Sequence, residues 1–411
     1  MSRDLRLLTF TSLFPSVARP RHGIFIESRL QRLVQRGGIC AHVIAPVPWF
    51  PFTGDGWGEY GRIARTPQRE LRSGIHVQYP RYVSLPYVGF SAKAGLMARA
   101  GLRAVQSLLR EGEAIDVVDA HYLYPDGVAA AEIARRIGRP FVLSARGTDV
   151  NLIAQMPGPL KQIRQAIEAS SGVITVSAAL KNSLVGLGVA EDRITVLRNG
   201  VDPSLFSPED RMSARRQLGL LTDEKIIVSV GNLVPEKRPE LALEAVARIE
   251  GLHIVFIGRG RERPHLEGMA RNLSVEHRVR FFDEMPQAEL RLAYSAADAL
   301  ILASEREGWP NVLLEAAACG TPSVAFPVGG VPEILNDLAL GIMVRGAHDA
   351  EGLADALRQL LADPPSRDAV CAAAAKFGWA PVLDAQLGLY RRAAESAAEL
   401  SARQNLEPAE A

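Results

Sequence analysis

Cysteine is scarce in this chain. Only three occur in 411 residues, at Cys40, Cys319 and Cys371, with neither metal-site spacing nor an even disulfide framework. They read as reduced, buried residues in a reducing, cytoplasmic compartment. Net charge is nearly absent as well: 47 basic and 46 acidic side chains leave +1. That removes the global case for nucleic acid as a partner, so attraction to phosphate or membrane must come from local patches. No apolar run reaches the ~18 residues of a bilayer-spanning helix. The N-terminus, MSRDLRLLTFTSLFPS, lacks a long apolar core and reads as a first strand rather than a signal peptide. No His, Cys and Glu cluster has transition-metal spacing and no Asp-x-Asp stands at a strand end, so no metal cofactor is indicated. Gly258-Arg259-Gly260 lacks a third glycine and an acidic ribose partner, which disfavours an NAD-dependent dehydrogenase.

What is present is a globular balance of 47% hydrophobic and 23% charged residues, over a length that suits two or three domains. Short apolar runs alternate with helical patterns. Strands are expected near 5–10, 41–46, 75–79, 116–120, 141–144, 172–176 and 194–197. A second series is expected near 226–230, 254–257, 279–282, 299–303, 323–326 and 341–344. Repeated βα units imply parallel sheets with helices on both faces. The rhythm breaks after Arg198, at Asn199-Gly200-Val201-Asp202-Pro203 and Ser207-Pro208. This places one α/β domain over 1–200 and a second over 201–378, with a cleft expected between the carboxyl edges of their sheets. Pro46–Leu85 breaks the pattern too, with little periodicity before Ile75. It reads as a functional loop shaping an acceptor entrance or as a surface excursion. Residues 92–111 are amphipathic, with Arg99, Arg103 and Arg110 on one face. A core-facing helix is the plainer reading, and a peripheral contact with anionic lipid the sharper one.

Ser304–Glu333, SEREGWPNVLLEAAACGTPSVAFPVGGVPE, is the densest stretch. Glu307 stands ahead of a helix expected to start at Pro310, a good first helical residue, and to run to Cys319 before Gly320-Thr321-Pro322 stops it. Glu315 then lies ~7–8 Å along the axis, with the free amides of the first turn forming an anion site between the acids. Sugar, diphosphate and ribose have that layout, which points to a nucleotide-sugar.

Glu307-x7-Glu315, followed by Cys-Gly-Thr-Pro and by Gly329-Gly330-x-x-Glu333, resembles the retaining glycosyltransferases of the GT-B fold, in particular family 4. The resemblance implies two doubly wound, Rossmann-like domains facing each other across a cleft. It also covers Phe377-Gly378-Trp379, after which a helix over about 380–405 would pack back on the first domain. It assigns catalysis to Glu307 and to His121, which ends a strand at Asp119-Ala120-His121 and would point toward the transferred sugar. It assigns donor binding to Gly23, Arg146, Asp149, Asn232, Lys237, Arg238, Gly260, Gly308, Asn311, Val312 and Glu315, with Glu315 on the ribose.

The chain departs from the family at several of these positions. Gly23 stands where a glycine pair is usual. Arg146 replaces the histidine of His-Gly-x-Asp, while Gly147 and Asp149 match. Asn232 replaces an arginine and Arg238 a glycine, while Lys237 matches; Arg238 is expected to restore the missing cation. The resemblance implies transfer of a hexose from a UDP- or GDP-sugar, with retention, to a glycan or lipid-linked saccharide. It implies no cofactor, and a cytoplasmic location at the inner membrane face. A nucleotide-sugar epimerase on the same fold and a catalytically inactive nucleotide-sugar-binding protein are the alternatives. A phosphorylase is disfavoured, because no pyridoxal-binding lysine context is found.

Overall fold

The computed structural model describes residues 4–84, 92–220 and 223–406. The chain divides into two compact units: Met1–Arg198 with Ala380–Ala411, and Asn199–Trp379.

The first unit carries strands β1 (Leu5–Phe10), β2 (Ile39–Ile44), β3 (Val47–Pro48), β4 (Arg69–Arg72), β5 (Ile75–Gln78), β6 (Arg81–Tyr82), β7 (Val117–His121), β8 (Phe141–Ala145), β9 (Gly172–Thr175) and β10 (Ile194–Val196). Eight of them form a sheet in the order β10-β9-β8-β7-β1-β2-β5-β4, in which only the β4–β5 pair is antiparallel. Leu7, Leu8 and Phe10 of β1 and Val117, Val118 and Ala120 of β7 are fully buried, as strands covered on both faces require. Strand order reverses around β1, so the loops after β1 and β7 flank a switch point, where open α/β sheets bind ligands.

The second unit has β11 (Lys225–Val230), β12 (Leu252–Ile257), β13 (Val279–Phe282), β14 (Ala299–Leu302), β15 (Ser323–Ala325) and β16 (Gly341–Met343). All neighbours are parallel, in the order β13-β12-β11-β14-β15-β16. Ile227, Ile254, Phe256, Ile301 and Val324 pack with Leu243, Leu266, Leu353 and Leu357 of the covering helices. Each such side chain contributes roughly 1.5–3 kcal/mol on burial. The switch point lies between β11 and β14, whose following loops hold Asn232–Arg238 and Ser304–Pro310.

Pro46–Leu85 is more ordered than its composition suggests; Leu85 itself lies outside the described residues. It contains β3 paired with β6, the helix Gly58–Ala64 and the edge strand β4. Two-residue strands carry no period, and the solvent-facing Arg-Glu-Leu-Arg of β4 has no apolar alternation, so neither is visible in the pattern. Glu70 of β4 accepts from the Val17 amide at 2.8 Å and from the Tyr79 hydroxyl at 3.1 Å, tying the excursion to the loop after β1. The helix Lys93–Arg110 buries Met97, Val105 and Leu108, so its apolar face belongs to the core. Arg99, Arg103 and Arg110 are exposed. Of the three cysteines expected to be buried, only Cys319 is; Cys40 is exposed.

The helix Trp379–Leu406 joins the first unit from Ala380 onward. Arg29, 1% exposed, donates to Gln386 Oε1 at 2.6 Å and to the Leu197 carbonyl at 3.1 Å. Gln386 in turn donates to the Tyr390 hydroxyl at 2.5 Å, and at the surface Arg36 forms a two-pronged pair with Asp384, both bonds 2.7 Å. Truncating Arg29 leaves buried acceptors without a donor. Urea unfolding of Arg29→Ala is expected to show a loss of about 3 kcal/mol; a loss below about 1 kcal/mol would mean that this anchor does not hold the helix.

Candidate functional site

In the second unit, β11 ends at Val230, and the chain passes through Gly231, Asn232 and a short turn, Pro235–Lys237, to Arg238. Arg238 sits at φ 46°, ψ 50°, the left-handed region. The glycine of the family pattern is at home there and an arginine is strained by about 1 kcal/mol. Lys237 Nζ meets Glu307 Oε1 at 2.6 Å, with the Glu307 side chain 9% exposed and that of Lys237 36%. The structure thus joins two of the expected site residues directly. Arg238 turns elsewhere: its guanidinium donates to the His348 carbonyl at 3.2 Å and lies 3.7 Å from Glu240.

The helix after Glu307 runs Asn311–Ala318, one residue later than expected at its start, with Pro310 at the N-cap. Proline has no side-chain acceptor, and no side chain caps the first turn. Asn311 Oδ1 accepts from Asn199 Nδ2 at 3.1 Å, and Trp309 Nε1 donates to the Asn199 carbonyl at 3.0 Å. The Asn199-Gly200 turn is therefore fastened to the helix start. Gly308 and Val312 are half-buried beside it. A Cβ at Gly329 (φ 52°) would stand 1.8 Å from the Glu307 carbonyl oxygen, so the glycine pair of the motif is required by the backbone that carries Glu307.

Glu315 accepts a bond of 2.8 Å from the Tyr294 hydroxyl. Burial raises its pKa to about 7, with the Tyr294 bond opposing the shift. Tyr294 lies far from Glu315 in sequence, and nothing in the helix pattern announces it.

Gly260 was expected to admit a donor. An ideal Cβ there lies 1.9 Å from the Leu233 carbonyl oxygen, and one at Gly258 lies 2.0 Å from that of Gly231. The close approach these glycines permit is between the loops after β11 and β12. Gly23, in the first unit, repeats the case. It is left-handed (φ 75°) at the N-cap of the helix Ile24–Arg36, and its Cβ would meet the Leu13 carbonyl oxygen at 2.1 Å.

At the end of β7, His121 is 2% exposed and both its ring nitrogens are engaged. Nε2 is 2.8 Å from Asp119 Oδ2, and Nδ1 faces the Arg146 guanidinium, which can only donate. This assigns the neutral ring with its proton on Nε2. Burial lowers the pKa to about 4; Asp119 opposes the shift and Arg146 adds to it. The resemblance sends His121 toward the transferred sugar; in this structure its two ring nitrogens are held by Asp119 and Arg146. Asp119, which shares a strand face with His121 because the two are two residues apart, is the partner that this spacing could have revealed. Tyr390 of the C-terminal helix also bonds Asp119.

Arg146 also lies 5.7 Å over the Phe25 ring. Asp149, expected either to contact a sugar hydroxyl or to orient Arg146, is bonded to the Arg146 backbone. It is fully buried and accepts from the amides of Leu123 (2.8 Å), Arg146 (3.0 Å) and Gly147 (2.8 Å). Its carboxylate closes the loops after β7 and β8.

Two largely parallel α/β units, each with its loops gathered at a switch point, are the architecture of the GT-B class. The family described as "Glycosyl transferases group 1" matches residues 210–377, and "Glycosyltransferase Family 4" matches residues 59–205. A protein of Kribbella flavida named D-inositol 3-phosphate glycosyltransferase is 32% identical over 361 residues, 80% of this chain and 84% of that one. One of the same name from Stackebrandtia nassauensis is 34% identical over 301 residues, 67% and 68% of the two chains. Among solved structures, sucrose-phosphate synthase of Thermosynechococcus elongatus superposes with TM-score 0.77 at 19% identity, over 95% of this chain and 99% of that one. HepE of Anabaena in complex with UDP and glucose gives 0.69 at 18%, over 97% and 100%. At such identities the structures speak to the fold alone. The chain belongs to the group 1, family 4 glycosyltransferases, and it is a glycosyltransferase.

The raised pKa of Glu315 has a sign that can be measured. The folded chain keeps this proton up to about pH 7, whereas the unfolded carboxyl releases it near its ordinary value of 4.5. Its contribution to stability is therefore present below pH 4.5 and fades as pH rises through 7. In urea unfolding, Glu315→Gln is expected to gain roughly 1–3 kcal/mol on wild type between pH 5 and pH 8. Parallel pH profiles would show that Glu315 is not the group responsible.

Proposed function

We propose that the protein transfers a hexose from a nucleotide diphosphate sugar to a saccharide or lipid-linked saccharide, with retention at the anomeric carbon. The observation that carries this reading is the Lys237–Glu307 pair at 2.6 Å beside the uncapped start of the helix Asn311–Ala318. The diphosphate rests on the first-turn amides and on Lys237, which is shared between Glu307 and phosphate once donor is bound. Glu307 hydrogen-bonds hydroxyls of the transferred sugar. Glu315, held by Tyr294, receives the ribose. As the C1–O bond loosens, negative charge grows on the leaving diphosphate, and Lys237 with the helix amides stabilises it. These groups provide the neutralisation without a divalent cation. The acceptor hydroxyl gives its proton to the departing phosphate oxygen on the same face. Support for a nucleotide-sugar donor also comes from HepE of Anabaena, a structural neighbour solved with UDP-glucose. Among the described residues no helix is long and apolar enough to cross a membrane. A lipid-linked acceptor would then be met at the cytoplasmic membrane face.

A second acceptor reading is favoured by the relatives' name, which specifies D-inositol 3-phosphate. A small phosphorylated cyclitol needs a cation for its phosphate, and product analysis with both acceptor classes separates the two readings.

A thermal-shift panel of UDP-, GDP-, ADP- and dTDP-sugars in EDTA tests the donor. At least one is expected to raise the Tm, since binding to the folded state alone stabilises it; a shift by NAD and by none of the sugars would defeat the proposal. Glu307→Ala is expected to fold and to lower kcat by at least about tenfold, the rate equivalent of about 1.4 kcal/mol; an unchanged rate would remove Glu307 from the site.

Lys237→Ala is expected to weaken donor binding strongly. Arg238→Gly is expected to relieve backbone strain, gaining about 1 kcal/mol of stability, while weakening the donor if Arg238 serves as a replacement cation. A neutral effect of Arg238→Gly on donor affinity would leave Lys237 as the only cation of the pair that acts.

A further inference from the structure

Residues 49–60, WFPFTGDGWGEY, form an exposed aromatic cluster on the first unit that the donor chemistry does not use. Trp49 is 55% exposed, and Phe52, Trp57 and Tyr60 are each 51% exposed. The rings are organised. Phe52 and Trp57 stack at 4.8 Å and 12°, and Phe50 packs against Phe52, Trp57 and Tyr60 at 5.8, 5.6 and 5.3 Å. The loop beneath them is tied down: Arg65 donates to the Thr53 carbonyl at 3.0 Å and pairs with Asp55 at 2.5 Å. Gly61 lies so close to Gly54 that a Cβ would stand 2.3 Å from its carbonyl oxygen. Large aromatic side chains about half exposed on a fixed backbone indicate a contact surface.

The charges around the rings narrow the choice of occupant. Asp55 pairs with Arg65, and Glu59 with Arg62 at 3.1 Å and more distantly with Arg19 at 3.9 Å. Residues 49–66 thus carry two acids and two arginines, Arg62 and Arg65, and no net charge. An anionic lipid surface or a phosphorylated small molecule calls for cations in excess. A neutral pyranose does not: its C–H face lies on the negative face of an aromatic ring, and its hydroxyls reach the polar rim. The Arg19–Glu59 pair and the Val17–Glu70 hydrogen bond of 2.8 Å join this region to the loop after β1 that leads to Gly23, at the switch-point edge of the unit's sheet.

We propose that Phe52, Trp57 and Tyr60 form a stacking platform for uncharged sugar units of a multi-residue glycan acceptor, remote from the hydroxyl that receives the hexose. This rests on the transferase reading above and selects a glycan over a cyclitol phosphate as acceptor. Longer neutral acceptors bind better than short ones, and the platform acts on acceptor KM rather than on kcat.

Calorimetry on the full chain with maltohexaose and cellohexaose tests the proposal, alongside co-sedimentation with phosphatidylglycerol vesicles. At least one hexasaccharide is expected to bind wild type. Trp57→Ala and Phe52→Ala are expected to weaken it by about tenfold or more, the scale of one lost aromatic stack. Leu338→Ala, at a residue 82% exposed on the second unit, is expected to change nothing. Nucleotide-induced thermal shifts should persist in all three variants, since the donor groups lie in the second unit. Failure of both hexasaccharides to bind wild type, or equal affinity in both aromatic variants, overturns the platform. So does vesicle binding that depends on Trp57 without saccharide binding. Loss of the nucleotide shift in wild type with saccharide binding intact overturns the transferase reading instead.

Discussion

The carbonyl oxygen of Glu307 occupies space that any side chain at position 329 would need, 1.8 Å from an ideal Cβ. The same constraint recurs at the carboxyl edges of both sheets. The loop after β12 presses Gly258 and Gly260 on the loop after β11, and Gly23 sits against Leu13. At these points backbone lies on backbone with no side chain between. A Cβ forced into any of them must displace main chain, which a packed edge resists. Lys237 and Glu307 come within 2.6 Å because the loops that carry them are held this way. The Lys237–Glu307 pair therefore depends on a steric condition satisfied one layer below it.

The first unit uses its polar side chains differently. Arg29, Asp119, His121, Arg146 and Tyr390 are drawn into one buried network that reaches the C-terminal helix through Gln386. Burying charge is tolerable when partners surround it, and removing one partner strands the rest. His121 is neutral there, held between a donor and an acceptor. Asp149 spends its carboxylate on three amides. Residues that the family pattern marks thus hold the loops at the switch point. The replacement of the family histidine by Arg146 is what occupies Nδ1 of His121, since guanidinium donates and cannot accept.

The two units differ in the groups they offer to a ligand. The second concentrates the groups suited to a diphosphate and its flanking hydroxyls. The first offers fixed aromatic faces without net charge, a surface better matched to neutral sugar rings than to phosphate. Family membership settles that a glycosyl group is transferred.

Much of the architecture was legible in the residues. Every expected strand is present within a few residues of its place, because parallel strands buried on both faces are continuous apolar runs. The Glu307–Glu315 spacing and the Gly-Thr-Pro stop located the helix to within one residue. Edge strand β4 and the β3–β6 pair were not legible, since exposed or very short strands leave no period. What the amino-acid order determined by itself is whatever depends on neighbours in the chain: the βα rhythm and the helix stops. Tertiary structure alone decided which polar groups face a ligand and which are consumed by the scaffold. Asp119 meets Tyr390, and Glu315 meets Tyr294, across long stretches of chain. Side-chain pairing at that separation is set by packing, which no local pattern records.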